Sequence, residues 1–229
     1  MKLTALFQGQ WPATILFDLD GTLVDSAPDL AAGIDGMLRE LGRPAAGADR
    51  VRQWVGNGAG VLVRRALAGR ADYEQGASVT ERDFNRALDL FYTAYTTENG
   101  KNAAVYSGVE AFLQAAKAQG CGLGIVTNKP HAFTGPLLEL MGLAHWFGHS
   151  VSGDSLATRK PDAAPIHHAI AQLGGEQGTA LMVGDSATDI RAAQNAGIPV
   201  VAVRYGYNYG VPVDELGADI VVDSLTELL

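Results

Sequence analysis

Two aspartates, Asp18 and Asp20, follow directly on the apolar run Ile15-Leu16-Phe17 and precede Gly21-Thr22, in the stretch ILFDLDGTLVDS at residues 15–26. The apolar run reads as a strand. A strand that runs into Asp-x-Asp-Gly presents its carboxylates at the strand end, where open α/β sheets bind ligands. Gly21 lets the chain leave the sheet through backbone angles that other residues reach poorly. A bare DxD is also an ordinary turn with solvated aspartates, so the rest of the chain must decide between the two.

Three later stretches place more polar chemistry after apolar runs. Residues 122–126 (GLGIV) end in Thr127-Asn128-Lys129, and a short run near 149–152 is followed by Asp154 and then Arg159-Lys160-Pro161. Residues 180–183 (ALMV) end in Gly184-Asp185-Ser186-Ala187-Thr188-Asp189. Each has a plain reading alone: Thr127 as a helix cap, Lys160 as a surface charge, Asp185 as a turn residue, Asp189 as an N-terminal cap. If the runs are parallel strands of one sheet, their ends share an edge and these residues converge in one crevice.

The surrounding pattern supplies such a sheet. Residues 28–41 carry Leu30, Ile34, Met37, Leu38 and Leu41 at helical spacing, with Pro28 in the first turn and Gly42 at the C-terminal cap. A short segment at 51–55, the glycine-rich GNGAG at 56–60 and a helix over 61–68 follow. Thr80-Glu81-Arg82-Asp83 reads as a capping-box start to a helix with Phe84, Leu88, Phe91 and Tyr95 on one face. From 28 to about 100 the pattern predicts helices and no strand. Beyond Tyr106, helices (109–119, 132–141, 164–173, 190–196) alternate with strands (122–126, 149–152, 180–183, 200–203, 220–222). That alternation predicts a parallel sheet covered on both faces. The expected architecture is α/β: a Rossmann-like parallel-sheet core of residues 1–25 and 101–229, with an all-helical domain of residues 26–100 inserted after the first strand.

Bulk properties narrow the function. Seventeen Lys and Arg against 25 Asp and Glu give a formal net charge of -8. This argues against nucleic-acid binding, which needs clustered cations. Cys121 is the only cysteine, which excludes an internal disulfide, and it reads as a core residue before an apolar strand. No leader-like segment and no apolar span of about 18 residues is evident, so a cytoplasmic protein without a membrane partner is expected. The five histidines lack metal-ligand spacing, and GNGAG lacks the GxGxxG spacing of dinucleotide loops.

DLDGT (18–22), strand-end Thr127, Lys160-Pro161 and GDSATD (184–189) resemble the four motifs of the haloacid dehalogenase superfamily of phosphatases, over essentially the whole chain. The helical insert resembles that superfamily's C1 cap. GNG at 56–58, TNKP at 127–130 and YGYNYG at 205–210 narrow the resemblance to the bacterial phosphoglycolate phosphatases. KPDAAP (160–165) departs from their pattern, which carries a second proline two residues after the first; Lys160 itself is kept.

The resemblance implies roles. Asp18 would be the nucleophile, forming an aspartyl-phosphate, and a ligand of Mg²⁺ together with Asp185 and the backbone carbonyl of Asp20. Asp20 would protonate the leaving alcohol and then deprotonate the attacking water; the dehalogenases of the superfamily lack an acid there. Thr127, Asn128 and Lys160 would hold the transferring phosphoryl group, with Asp189 supporting Lys160 or a metal-bound water rather than ligating directly. In the cap, Asn57 and Gly58 would reach the substrate. Arg52, Arg64 and Arg65 are candidate carboxylate partners or else solvated surface charges. The cap hinges are expected near 24–27 and 99–106. The implied substrate is a small phosphorylated metabolite, 2-phosphoglycolate first. Another small-phosphoester hydrolase, a phosphosugar mutase or a non-catalytic phosphate-binding module are the alternatives. Monomer and homodimer both remain open.

Overall fold

Residues 14–17, TILF, are all buried and form β1 (Thr14–Phe17). In the computed structural model, which describes residues 2–75, 79–208 and 210–229, β1 lies at the middle of a six-stranded sheet. Tyr209 of the YGYNYG stretch lies outside the described residues. The other strands of the sheet are β4 (Gly122–Val126), β5 (His149–Val151), β6 (Ala180–Gly184), β7 (Val200–Val203) and β8 (Ile220–Val222). Their order is β5-β4-β1-β6-β7-β8, and every pairing is parallel. In register, Thr14 stands beside Gly122 on one side and Ala180 on the other. The strand ends therefore line up.

Both faces of the sheet are covered, which is why its strands read as unbroken apolar runs rather than alternating ones. Ile15, Phe17, Leu123, Ile125, Leu181 and Val183 face one layer, packed with Phe112 and Leu113 of α6 (Val109–Ala118) and Leu137 of α7 (His131–Leu140). Leu16, Val126, Met182 and Val200 face the other, against Ile166 of α8 (Ala164–Gln172) and Ile190 of α9 (Ala187–Ala196). Cys121 is buried in the first of these layers.

The described residues of 26–100 are helical and contain no strand. They form α2 (Ala27–Glu40), α3 (Ala48–Arg52), α4 (Ala59–Ala68) and α5 (Glu81–Glu98), around their own apolar cluster of Ile34, Met37, Trp54, Leu62, Val63 and Phe91. Helices α2 and α5 pack closely because α2 is notched: a Cβ on Gly33 would come within 3.1 Å of Tyr95, and one on Gly36 within 2.9 Å of Ala94. Among the described residues, no helix is long and apolar enough to cross a membrane.

The places where this segment leaves and rejoins the sheet are tied together. β2 (Val24–Asp25) and β3 (Ala104–Val105) form an antiparallel ribbon pairing Val24 with Val105 and Asp25 with Ala104. This ribbon sits where the sequence predicts hinges, but two residues per strand are too few for any periodic signal. Several helices also differ from the pattern. A short α1 (Lys2–Ala5) buries Leu3 where the sequence offers only a brief apolar patch. α3 spans Ala48–Arg52 rather than 51–55, and α4 starts at Ala59, on the tail of GNGAG. α9 starts at Ala187 rather than 190, because its first turn is polar and is held by a capping box between Ser186 and Asp189.

Just beyond the ribbon, the buried carboxylate of Asp29 in the first turn of α2 accepts from the backbone N–H groups of Gly100 (2.8 Å), Asn102 (2.8 Å) and Ala103 (3.2 Å). One side chain thus staples the entry of the helical segment to its exit. Asp29→Ala leaves three donors without their acceptor and is expected to cost roughly 2–4 kcal/mol. Urea unfolding measures it; an unchanged midpoint removes the staple from the account.

Candidate active site

The backbone N–H of Asp18 donates to Val183 O (2.9 Å) and that of Thr127 to Val151 O (2.9 Å). Both residues thus extend the sheet ladder by one step, and their side chains emerge at its carboxyl edge. Asp185 follows β6, Asp189 lies in the first turn of α9, and Lys160 stands on the loop between β5 and α8. The sheet brings them together: Lys160 Nζ lies 2.9 Å from Asp18 Oδ1 and 2.6 Å from Asp189 Oδ1. The lysine loop is itself pinned, since Asn128 Nδ2 donates to Lys160 O (3.0 Å). The other oxygen of Asp189, Oδ2, accepts from Ser186 Oγ (2.7 Å) and from the backbone N–H groups of Asp185 (3.2 Å) and Ser186 (3.1 Å). Asp189 is therefore both a cap and the second partner of Lys160.

Asp185 is held from two sides, by Thr22 Oγ1 donating to Oδ1 (2.7 Å) and by the backbone N–H of Tyr207 donating to Oδ2 (2.6 Å). Gly21, at φ +93°, makes room for it: a Cβ there would collide with the Asp185 carboxylate and lie 2.8 Å from Tyr207. The tight DGT turn is thus shaped around a residue more than 160 positions away.

Asp18, Asp185 and Asp189 offer carboxylate oxygens that all lie within 4.8 Å of one another, in buried positions. Burial, with Asp189 and Asp20 adding to it and Lys160 opposing it, pushes the Asp18 carboxyl up to about 6. Burial, Asp189 and Asp18 push Asp185 well above the usual carboxylate range. Burial alone would lower Lys160, but Asp18 and Asp189 outweigh it and hold the ammonium protonated. Three carboxylates against one ammonium leave the cluster short of positive charge. Its donor set is all oxygen, which suits a hard divalent cation such as Mg²⁺. The residues present fit that ion.

Asp20 faces the other way. Its carboxylate accepts from Ser26 Oγ and from Lys129 Nζ (3.1 Å), and the same ammonium bonds Tyr95 Oη of α5 at 2.6 Å. A narrow pocket, open toward solvent, lies here between sheet edge and helical segment. Asp18, Asp20, Thr127 and Lys129 form one wall; Leu30, Val55, Leu62 and Phe91 face them.

The sequence-predicted cap residues separate in space. Gly58 lines the pocket, whereas the Asn57 side chain donates instead to Thr188 Oγ1 (3.0 Å) at the start of α9. None of the three candidate arginines lines it. Arg52 pairs with Asp25 (3.0 Å) and lies over the Tyr207 ring, Arg64 pairs with Glu81 (2.9 Å) and stacks on Phe84, and Arg65 donates to Trp54 O (2.6 Å). Tyr207, within the YGYNYG stretch, is a residue to which the sequence assigns no role. Its hydroxyl bonds Asp25 Oδ1 and accepts from the Ala27 N–H (2.9 Å), while its backbone holds Asp185. Lys129 is another, present in the sequence within TNKP but given no role there.

Residues 15–203 match the model of the haloacid dehalogenase-like hydrolases, so the chain belongs to that family. It is an enzyme, a phosphatase within the family. Among curated relatives it is similar to the phosphoglycolate phosphatase of Pseudomonas putida, at 46% identity over 98% of this chain and 81% of that one. It is also similar to the phosphoglycolate phosphatase of Nitrosococcus oceani, at 42% identity over 95% of each chain. A crystal structure described as a predicted phosphoglycolate phosphatase from Haemophilus somnus superposes with a TM-score of 0.85 at 39% identity, covering 94% of this chain and 96% of that one.

Proposed function

We propose that the chain hydrolyses 2-phosphoglycolate to glycolate and phosphate through an aspartyl-phosphate on Asp18, with Mg²⁺ as cofactor. The observation that carries the reading is the buried meeting of Asp18, Asp185, Asp189 and Lys160 on the sheet edge, with Asp18 also lining the pocket under the helical segment.

Carboxylate attack on a phosphate dianion meets repulsion of roughly 8 kcal/mol at 4 Å and an effective dielectric near 20. Lys160 offsets part of it from a fixed position, braced by Asp189 and by Asn128 on its carbonyl. Asp18, Asp185 and the backbone carbonyl of Asp20 would hold Mg²⁺, which supplies further positive charge for the phosphoryl oxygens. Thr127 Oγ1, buried at the pocket wall, donates to the transferring group. Asp18 then forms the P–O bond as the bond to the glycolate oxygen breaks, and Asp20 delivers a proton to that oxygen. In the second half-reaction Asp20 takes a proton from water as the water attacks the acyl-phosphate, releasing phosphate and restoring the Asp18 carboxylate.

The relatives' names support phosphoglycolate over other esters. The test is kcat/KM across a panel of phosphomonoesters with Mg²⁺. Phosphoglycolate is expected to lead by at least about tenfold, a difference of some 1.4 kcal/mol in transition-state binding. Chelation is expected to abolish turnover on every ester, with Mg²⁺ restoring it. A flat panel would remove the substrate assignment and leave the phosphatase; undiminished activity after chelation would remove the metal.

A further inference from the structure

Lys129 is a buried ammonium for which the two half-reactions have no use. Its side chain is 2% exposed. Burying a charge is costly unless it is paired, and an apolar residue would fill the same space at less cost. Two features suggest what it serves. Among the described residues it is the one cation lining the pocket, the opposite wall being largely apolar. It also has a weak bond to give up: its three hydrogens go to the two Asp20 oxygens, at 3.1 and 3.4 Å, and to Tyr95 Oη at 2.6 Å, and the 3.4 Å contact is the one a ligand oxygen would replace.

The position of Asp20 fixes where that ligand group sits. Asp20 serves the oxygen that leaves phosphorus, and Lys129 is in contact with Asp20. In a two-carbon acid the carboxylate is two bonds beyond that oxygen, so it falls beside the same ammonium. The three arginines that could have answered a carboxylate are committed elsewhere, to Asp25, Glu81 and Trp54 O. We propose that Lys129 is the counter-charge for the substrate carboxylate, and so the residue that selects a phosphorylated hydroxy acid over an uncharged ester of the same size. The assignment rests on the carboxylate-bearing substrate argued above. It adds a second task for the ammonium: in the empty pocket it pairs with Asp20, and in the filled one Asp20 and the substrate share it. Tyr95 anchors it from the helical side, so selection needs that segment in place over the sheet.

The experiment compares phosphoglycolate with ethyl phosphate, which has the same two carbons and no carboxylate, in wild type, Lys129→Gln and Lys129→Met. Wild type is expected to prefer phosphoglycolate strongly. In Lys129→Gln the ratio of the two kcat/KM values is expected to fall about 100-fold, the effect of losing a charged hydrogen-bond partner. Any loss common to both esters reports the pair with Asp20 instead. Lys129→Met must show the same collapse, and it carries the test should the glutamine variant fail to fold by circular dichroism. A preference that survives both substitutions overturns the assignment and leaves the proposed substrate standing. A wild-type enzyme without preference overturns the substrate, and the assignment with it.

Discussion

Replacing Asp18 with asparagine is expected to lower kcat by on the order of 10⁴-fold or more, the scale on which removal of a nucleophile acts, and at the same time to raise the melting temperature of the metal-free protein. The first effect follows from the proposed chemistry, since an amide cannot attack phosphorus. The second follows from burial. The Asp18 carboxyl is raised from its ordinary 3.8 to about 6, chiefly by desolvation and by the neighbouring Asp189. A raised acid binds its proton more readily folded than unfolded. Its contribution to stability is complete below about pH 4 and is lost as pH climbs through 6. By neutral pH the ionised side chain costs about 3 kcal/mol, a linkage magnitude set by the shift. Asparagine never ionises. The gap in melting temperature between the variant and wild type, both in chelator, should therefore widen from pH 4.5 to 7.5 and shrink when Mg²⁺ is added to wild type. Full activity in the variant would sink the nucleophile. A gap that ignores pH would sink the electrostatic account while leaving the chemistry untouched.

Lys160→Met acts in the opposite sense on stability. The ammonium is the partner of both Asp18 and Asp189 at 2.9 and 2.6 Å. Removing it leaves the buried carboxylates without that partner, and breaking a buried pair from one side costs about 3–5 kcal/mol. Because burial also concentrates its charge on the reacting group, kcat should fall by roughly 10²–10³. Urea midpoints and single-turnover rates measure the two effects. Mg²⁺ should recover part of the stability, by neutralising the same carboxylates, and little of the rate. A variant as stable as wild type and only a few-fold slower would dismantle the role given to this lysine.

Most of the sheet was legible because its strands are buried on both faces and so read as continuous apolar runs. The helices were legible from their 3.6-residue period, with glycines at their ends. The meeting of Asp18, Lys160 and Asp185 followed from one topological rule, that parallel strands present their ends on one edge. What escaped was set by side chains acting over long sequence distances. Nothing local marks Asp29 as the acceptor for Gly100, Asn102 and Ala103, or Tyr207 as the link between Asp185 and Asp25. Lys129 looks like a solvated loop lysine until α5 is seen to place Tyr95 on it. For Arg52, Arg64 and Arg65 the sequence leaves a substrate carboxylate and a surface charge both open, because a cation's partner is chosen by three-dimensional neighbours; here those neighbours are Asp25, Glu81 and Trp54 O.

The strand order also has a consequence for how the chain is made. β1 ends at Phe17, yet both of its neighbours, β4 from Gly122 and β6 from Ala180, emerge much later. At 5–20 residues per second, the ribosome delivers β6 roughly ten to thirty seconds after β1. Until β4 arrives, Ile15, Leu16 and Phe17 have no edge to pair with, and until β6 arrives only one. Residues 26–100, by contrast, are contiguous, and α2 meets α5 as soon as both have left the exit tunnel. Synthesis thus favours an order in which the helical segment forms first and the ribbon of Val24–Asp25 with Ala104–Val105 closes its base. Asp18 would then wait, on a strand paired along one edge at most, for β6 to arrive.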